Sequence, residues 1–127
     1  MTDSKRIKCL RIALVITGIA FLCVYPLMSL WPSGWTWGQA HSHYLMMILG
    51  VYATLGVFLL LAAKNPAAHA SLIWFTVWSS VVHAVIMGGQ AFSDPAERGH
   101  LVGDVPALLV VAIAIAALMP RGLAERA

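Results

Sequence analysis

The sequence predicts an all-α integral membrane protein, a four-transmembrane-helix bundle with both termini cytoplasmic. Three observations lead to this fold class. Hydrophobic residues make up 61% of the 127 residues and charged residues only 10%, whereas a soluble domain usually has about 25% charged residues. Long stretches contain no Asp, Glu, Lys or Arg. The Lys and Arg residues, in addition, gather at a few places along the chain.

Charge-free runs set the number of crossings. They cover residues 12–63, 65–93 and 105–120. A spanning helix needs about 20 apolar residues, so the first run is long enough for two helices. The segment 31–35, WPSGW, divides this run because Pro and Gly close together mark a turn. The predicted spans are about residues 8–30, 41–63, 70–92 and 100–119, in a single membrane domain of residues 1–127.

The positions of Lys and Arg orient the bundle. Four crossings place seven of the eight on one side: Lys5, Arg6, Lys8, Arg11, Lys64, Arg121 and Arg126. Only Arg98 lies opposite. By the positive-inside rule both termini are therefore cytoplasmic, and we expect the bacterial inner (plasma) membrane. The net charge of +3 comes from basic residues at the ends of the spans, so it does not predict a nucleic-acid partner. The expected partners are the lipid bilayer and, because four short helices enclose little volume, a homo-oligomer or a larger membrane complex.

Two features of the first half of the chain predict local geometry. Pro26 removes a backbone hydrogen bond and is expected to kink or end the first helix. The small side chains of Gly50, Ala53 and Thr54 predict close helix approach in the second span. In the loop between these spans, three tryptophans are typical of an aromatic belt at the headgroups, and a lid over a site is the alternative. They are Trp31, Trp35 and Trp37.

Polar side chains concentrate in residues 79–104. His83 lies about 13 Å below the outer end of the third span at helical rise. An ionisable group at this depth faces a bundle interior or a wet cavity, either in a working site or as a neutral imidazole bonded to a carbonyl or a Ser/Thr hydroxyl. His100 and Asp104, four residues apart, share a helical face. Asp104 with Pro106 resembles a helix start, but the helix would then have only about 16 residues. This favours a start near His100, and a short last span is the alternative.

The second span opens with a His-x-His pair. Residues i and i+2 do not share a helical face, so at most one of the two faces the bundle. His43 lies deeper and shares a face with Met46, Met47 and Gly50, so it is the favoured one. His41 is expected among the headgroups.

The charge-based topology places these groups together in the outer half. It predicts a transition-metal site with ligands His43, His83, His100 and Asp104, suited to Zn²⁺, Cu²⁺ or Fe²⁺. Met47, Met87 and Gln90 are expected around it, and the thioethers would favour copper. Haem fits less well, because two histidines that ligate one haem must lie at similar depth. His43 lies near the outer end of its span, and His83 lies well below the outer end of its own.

Two alternatives stay open beside the metal site. In one, the chain is a proton-coupled conduit or small-solute transporter, in which His83 and Asp104 relay protons or bind the solute. In the other, it is a structural or accessory subunit whose polar residues link helices. The sequence contains no Walker loop, HExxH, CxxC or GxSxG motif. It therefore leaves open whether the protein is an enzyme.

Overall fold

The computed structural model describes residues 2–36, 42–120 and 122, and these residues form helices and turns without a strand. The α-helices are α1 (Asp3–Leu22), α2 (Val24–Leu30), α3 (Pro32–Trp35), α4 (His43–Ala62), α5 (Ala70–Ser93) and α6 (Asp104–Leu118). Two 3₁₀-helices, Pro66–His69 and Pro95–Leu101, directly precede α5 and α6 in the chain.

The lengths of these helices support the predicted membrane bundle. Within the described residues, three helical segments are long and apolar enough to cross a membrane: His43–Ala62, Pro66–Ser93 and Pro95–Leu118. Helices α1 and α2 pass the same test together, with a bend of 58° between them. The all-α membrane bundle is thus confirmed, with three spanning helices, or four if the bent pair crosses as one span. The orientation stays a prediction of the charge pattern.

The bend lies at Cys23, three residues before Pro26. The Cys23 amide still donates to the carbonyls of Ile19 and Ala20, and closes α1 there. Pro26 has no N–H to donate to the carbonyl of Leu22, and its ring would collide with that carbonyl in a straight helix. The predicted kink is confirmed, displaced towards the N-terminus because the lost bond reaches back one turn.

Helices α1 and α4 pack closely through two glycines. A Cβ on Gly18 would lie 2.8 Å from the carbonyl oxygen of Gly56, and one on Gly56 would lie 2.7 Å from that of Gly18. No larger side chain fits at this distance. The contact predicted at Gly50 is wrong, since a Cβ there would meet no atom of the described residues within 4 Å.

Helix α6 begins at Asp104, and the start predicted near His100 is wrong. In a helix starting at His100, Pro106 would lie beyond the first turn, where it breaks a hydrogen bond. Starting at Asp104 places Pro106 in the first turn, where no N–H is needed. Gly103 is the N-cap residue, and the 3₁₀-helix Pro95–Leu101 adds the length that the short α6 lacks.

The bundle has two distinct ends. We call the half that holds α2, α3 and the 3₁₀-helix Pro95–Leu101 the outer half, and the other the inner half. In the inner half, large apolar side chains from four helices are almost completely buried: Leu10, Leu14, Leu59, Ile73 and Ile115. Van der Waals packing of this kind stabilises helix association in lipid, where hydrophobic burial adds little.

Candidate functional site

A cavity of about 110 Å³ lies in the outer half, beside the bend between α1 and α2. Residues on both sides of the bend line one wall, so the kink makes the space. The rest of the lining comes from α3, α4, α5 and α6, and most of it is apolar. Its polar side chains are Trp35, Tyr52, His83 and Asp104. The space is large enough for several water molecules.

His83 pairs with a tyrosine on the facing helix. The Tyr52 hydroxyl lies 2.8 Å from His83 Nδ1, and the tautomer of the ring decides which group donates. Tyr52 is held in place by an edge contact with Phe21, with ring centroids 4.9 Å apart. The other nitrogen of His83, Nε2, makes no hydrogen bond to any described residue. One polar atom of the pair therefore stays available to a molecule in the cavity.

His100 is 1% exposed and has acceptors at both ring nitrogens. Nδ1 lies 2.9 Å from Asp104 Oδ2, and Nε2 lies 3.2 Å from the Thr36 carbonyl oxygen. Glu97 Oε2 is also 3.2 Å from Nε2. Because a carbonyl can only accept, Nε2 carries a hydrogen and one further proton lies between Nδ1 and Oδ2. This pair ties α6 to the end of α3.

Two glycines bring α3 onto the 3₁₀-helix Pro95–Leu101. A Cβ added to Gly99 would overlap the backbone of Ser33, and one added to Gly103 would overlap that of Gly34. The contact is thus between backbones, which leaves α3 little freedom. It places Trp35 in the lining of the cavity.

The indole nitrogen of Trp35 is the unusual atom of the site. Nε1 is buried and has no hydrogen-bond partner in the part of the chain that the structure describes. Arg6 Nε and Trp74 Nε1 share this property, but neither residue lines the cavity. A buried donor without a partner costs about 1–3 kcal/mol. A ligand or water acceptor in the cavity would remove this cost.

The structure brings some of the predicted site residues together and not others. His83, Asp104 and Met87 line the cavity, and His100 contacts Asp104. The others lie elsewhere: His43 and Met47 are exposed and outside the cavity lining, Gln90 is exposed on a groove between α4 and α5, and His41 and Trp37 lie outside the described residues.

The described residues contain no group of three or more His, Cys, Asp or Glu side chains that could hold a metal ion. Metal and haem binding therefore stay predictions.

Tyr52 was missed because a tyrosine in an apolar run gives no charge signal. Its depth in the bundle would have marked Tyr52 as a candidate partner of His83. Tyr52 is nine residues after the outer end of α4 at His43, and His83 is ten residues before the outer end of α5 at Ser93. Two residues at nearly equal depth on neighbouring antiparallel helices are candidate partners. Whether they meet also depends on how each helix is rotated about its axis.

The comparison with known proteins covers almost the whole chain. Residues 4–126 match a family of unknown function, DUF6632. The chain belongs to this family. No curated protein and no solved structure matches it. Membership of DUF6632 assigns no activity. The cavity and its polar groups are the features of this family member that bear on its function.

Proposed function

We propose that the chain binds a small, mostly apolar molecule with one hydrogen-bonding group in the cavity of its outer half. The observation that carries this proposal is the buried Nε1–H of Trp35, which has no partner among the described residues and belongs to a side chain that lines the cavity. Buried polar groups in proteins are nearly always hydrogen-bonded, and one that is not calls for an explanation such as a missing ligand.

The lining indicates what the ligand looks like. Phe21, Met28 and Leu49 belong to an apolar wall suited to an apolar body. A few polar groups among apolar side chains are typical of ligand pockets. Trp35 Nε1–H can donate to a hydroxyl or carbonyl oxygen, and the free ring nitrogen of His83 offers a second polar contact.

The charge of the Asp104 carboxyl group and the volume of the cavity narrow the class of ligand further. The carboxyl group of Asp104 already shares a proton with His100, so the cavity does not require a cationic ligand. A space of about 110 Å³ holds roughly one phenol-sized molecule. We therefore take a neutral alcohol, phenol or carbonyl compound as the ligand class. Solute transport would need this binding step as well, and it stays the second candidate because His83 and Asp104 line the same cavity.

The test is calorimetric titration of the purified protein with 4-methylphenol, which combines an apolar ring with one hydroxyl. We expect saturable binding of one molecule per chain. Trp35→Phe should lower the affinity about fivefold to tenfold, because one buried hydrogen bond is lost.

Trp78→Phe is the matched control, since Trp78 is 63% exposed and lies outside the cavity lining. Toluene lacks the hydroxyl, and its binding should be insensitive to Trp35→Phe. Absence of saturable binding, or an equal loss with Trp78→Phe, contradicts the proposal.

A further inference from the structure

The cavity is closed towards the outer end by α3. Trp35 lines the cavity from this side, and α3 contacts the 3₁₀-helix Pro95–Leu101 backbone to backbone at Gly99 and Gly103. The hydrogen bond from His100 to the Thr36 carbonyl adds a buried tie. Opening this end would break all of these contacts at once. Among the described residues, α3 therefore covers this end of the cavity and is held there by several contacts.

The inner end is closed as well. Gly18 and Gly56 bring α1 and α4 together directly below Phe21 and Tyr52, with no room for even a methyl group. The fully buried Leu14 and Leu59 continue this packing. A ligand cannot enter the cavity from this direction without separating two helices.

The side between α4 and α5 is different. An open groove runs along these two helices, and four residues line both the groove and the cavity: Leu45, Ile48, His83 and Met87. Among the described residues, these four side chains border both spaces. Met87 is unbranched and changes rotamer easily, and Ile48 is 46% exposed. No backbone contact has to break for this wall to open.

The groove has the chemistry of a lipid-facing site. Val82 and Ile86 are apolar, exposed groove residues at membrane depth. Ser42 and Gln90 add polar groups near its outer end. His83 lies where the groove meets the cavity, and its Nε2 makes no hydrogen bond to any residue described. A molecule with a polar end at His83 and an apolar tail along Val82 would match both spaces.

We propose that the ligand enters the cavity from the bilayer through the α4–α5 groove. It is a lipophilic alcohol, phenol or carbonyl compound with an alkyl tail. Its polar end lies in the cavity between His83 and Trp35, and its tail lies in the groove. This inference rests on the proposed function and adds the ligand class and the route to it.

The experiment compares 4-methylphenol with 4-octylphenol on protein reconstituted in phosphatidylcholine vesicles. Affinities are expressed per mole fraction of probe in the bilayer, so that partitioning cancels. If the cavity opens to the groove, 4-octylphenol binds within about threefold of 4-methylphenol, since its tail leaves one apolar environment for another. If the cavity is closed sideways, the octyl chain does not fit and 4-octylphenol does not bind.

Val82→Trp fills the groove without touching the cavity, because Val82 lines only the groove. It should weaken 4-octylphenol by about tenfold or more and leave 4-methylphenol unchanged, which also shows that the variant is folded. Val110→Trp is the matched control. Val110 is 64% exposed, against 55% for Val82, and lies on α6 away from both spaces. It should change neither affinity.

The outcomes separate the two proposals. If 4-methylphenol binds and 4-octylphenol does not, the sideways route is overturned and the cavity proposal stands. Equal effects of Val82→Trp and Val110→Trp on 4-octylphenol also overturn the route. If neither probe binds, the proposed function fails, and the route fails with it.

Discussion

The inner and outer halves of the bundle differ in how their helices pack. In the inner half, α1 and α4 meet at Gly18 and Gly56, and the side chains between the helices are large and apolar. In the outer half, the backbone bends at Cys23, a 3₁₀-helix precedes α6, and a buried ionisable pair, His100 with Asp104, accompanies a cavity. Irregular backbone at membrane depth is tolerated where it is buried or lines a cavity.

This contrast separates the half of the bundle that holds the helices together from the half in which we propose that a ligand binds. Close packing in the inner half holds the helices together, so the outer half can contain a bend and a cavity without the bundle separating. Substitutions in the inner half should therefore lower stability first. Substitutions around the cavity should change ligand binding more than folding, except at the His100 pair, which belongs to both.

The largest expected effect is that of Gly56→Leu. A Cβ at this position would lie 2.7 Å from the Gly18 carbonyl oxygen, so a leucine must push α1 and α4 apart. We expect a loss of about 4 kcal/mol or more, or no folded protein. Gly50→Leu is the control on the same helix, since its Cβ would meet open space. Thermal unfolding in detergent measures both, and a similar melting temperature for the two variants would refute the packing argument.

The His100–Asp104 pair should give the next largest effect. His100→Ala leaves a buried carboxyl group and removes the tie to the Thr36 carbonyl, so we expect a loss of about 2–3 kcal/mol. Asp104→Ala should cost a similar amount. The double variant should lose clearly less than the sum, since the first removal already breaks the shared hydrogen bond. Additive losses in thermal unfolding would mean that the two residues do not act as a unit.

Most of the fold was predictable because charges are expensive in a bilayer. Charge-free runs marked the spans, and Pro26 indicated the bend one turn away from where it occurs. The start of α6 was predicted wrongly because the length that a spanning helix needs was given more weight than the hydrogen bond that Pro106 would break. The 3₁₀-helix Pro95–Leu101 meets the length requirement without an α-helix through that proline.

The site was predictable only in part, because the rotation of α4 about its axis is set by tertiary contacts. Gly50 and Gly56 are six residues apart, about 1.7 turns at 3.6 residues per turn, so they point in directions about 120° apart around the helix axis. Choosing Gly50 as the packing position turns His43 inwards, since the two share a face. With Gly56 against α1, His43 is exposed. His83 was found from its depth alone, which does not depend on rotation.

The most direct test of the cavity proposal is the indole N–H resonance of Trp35 in ¹⁵N-labelled protein, assigned by its loss in Trp35→Phe. A hydrogen bond from Nε1 to the hydroxyl of bound 4-methylphenol should move this resonance downfield, and toluene, which offers no oxygen, should not produce that shift. The resonance of the exposed Trp78 should stay in place with both probes. A Trp35 resonance that does not move at saturating 4-methylphenol, or that moves equally with toluene, would contradict the account.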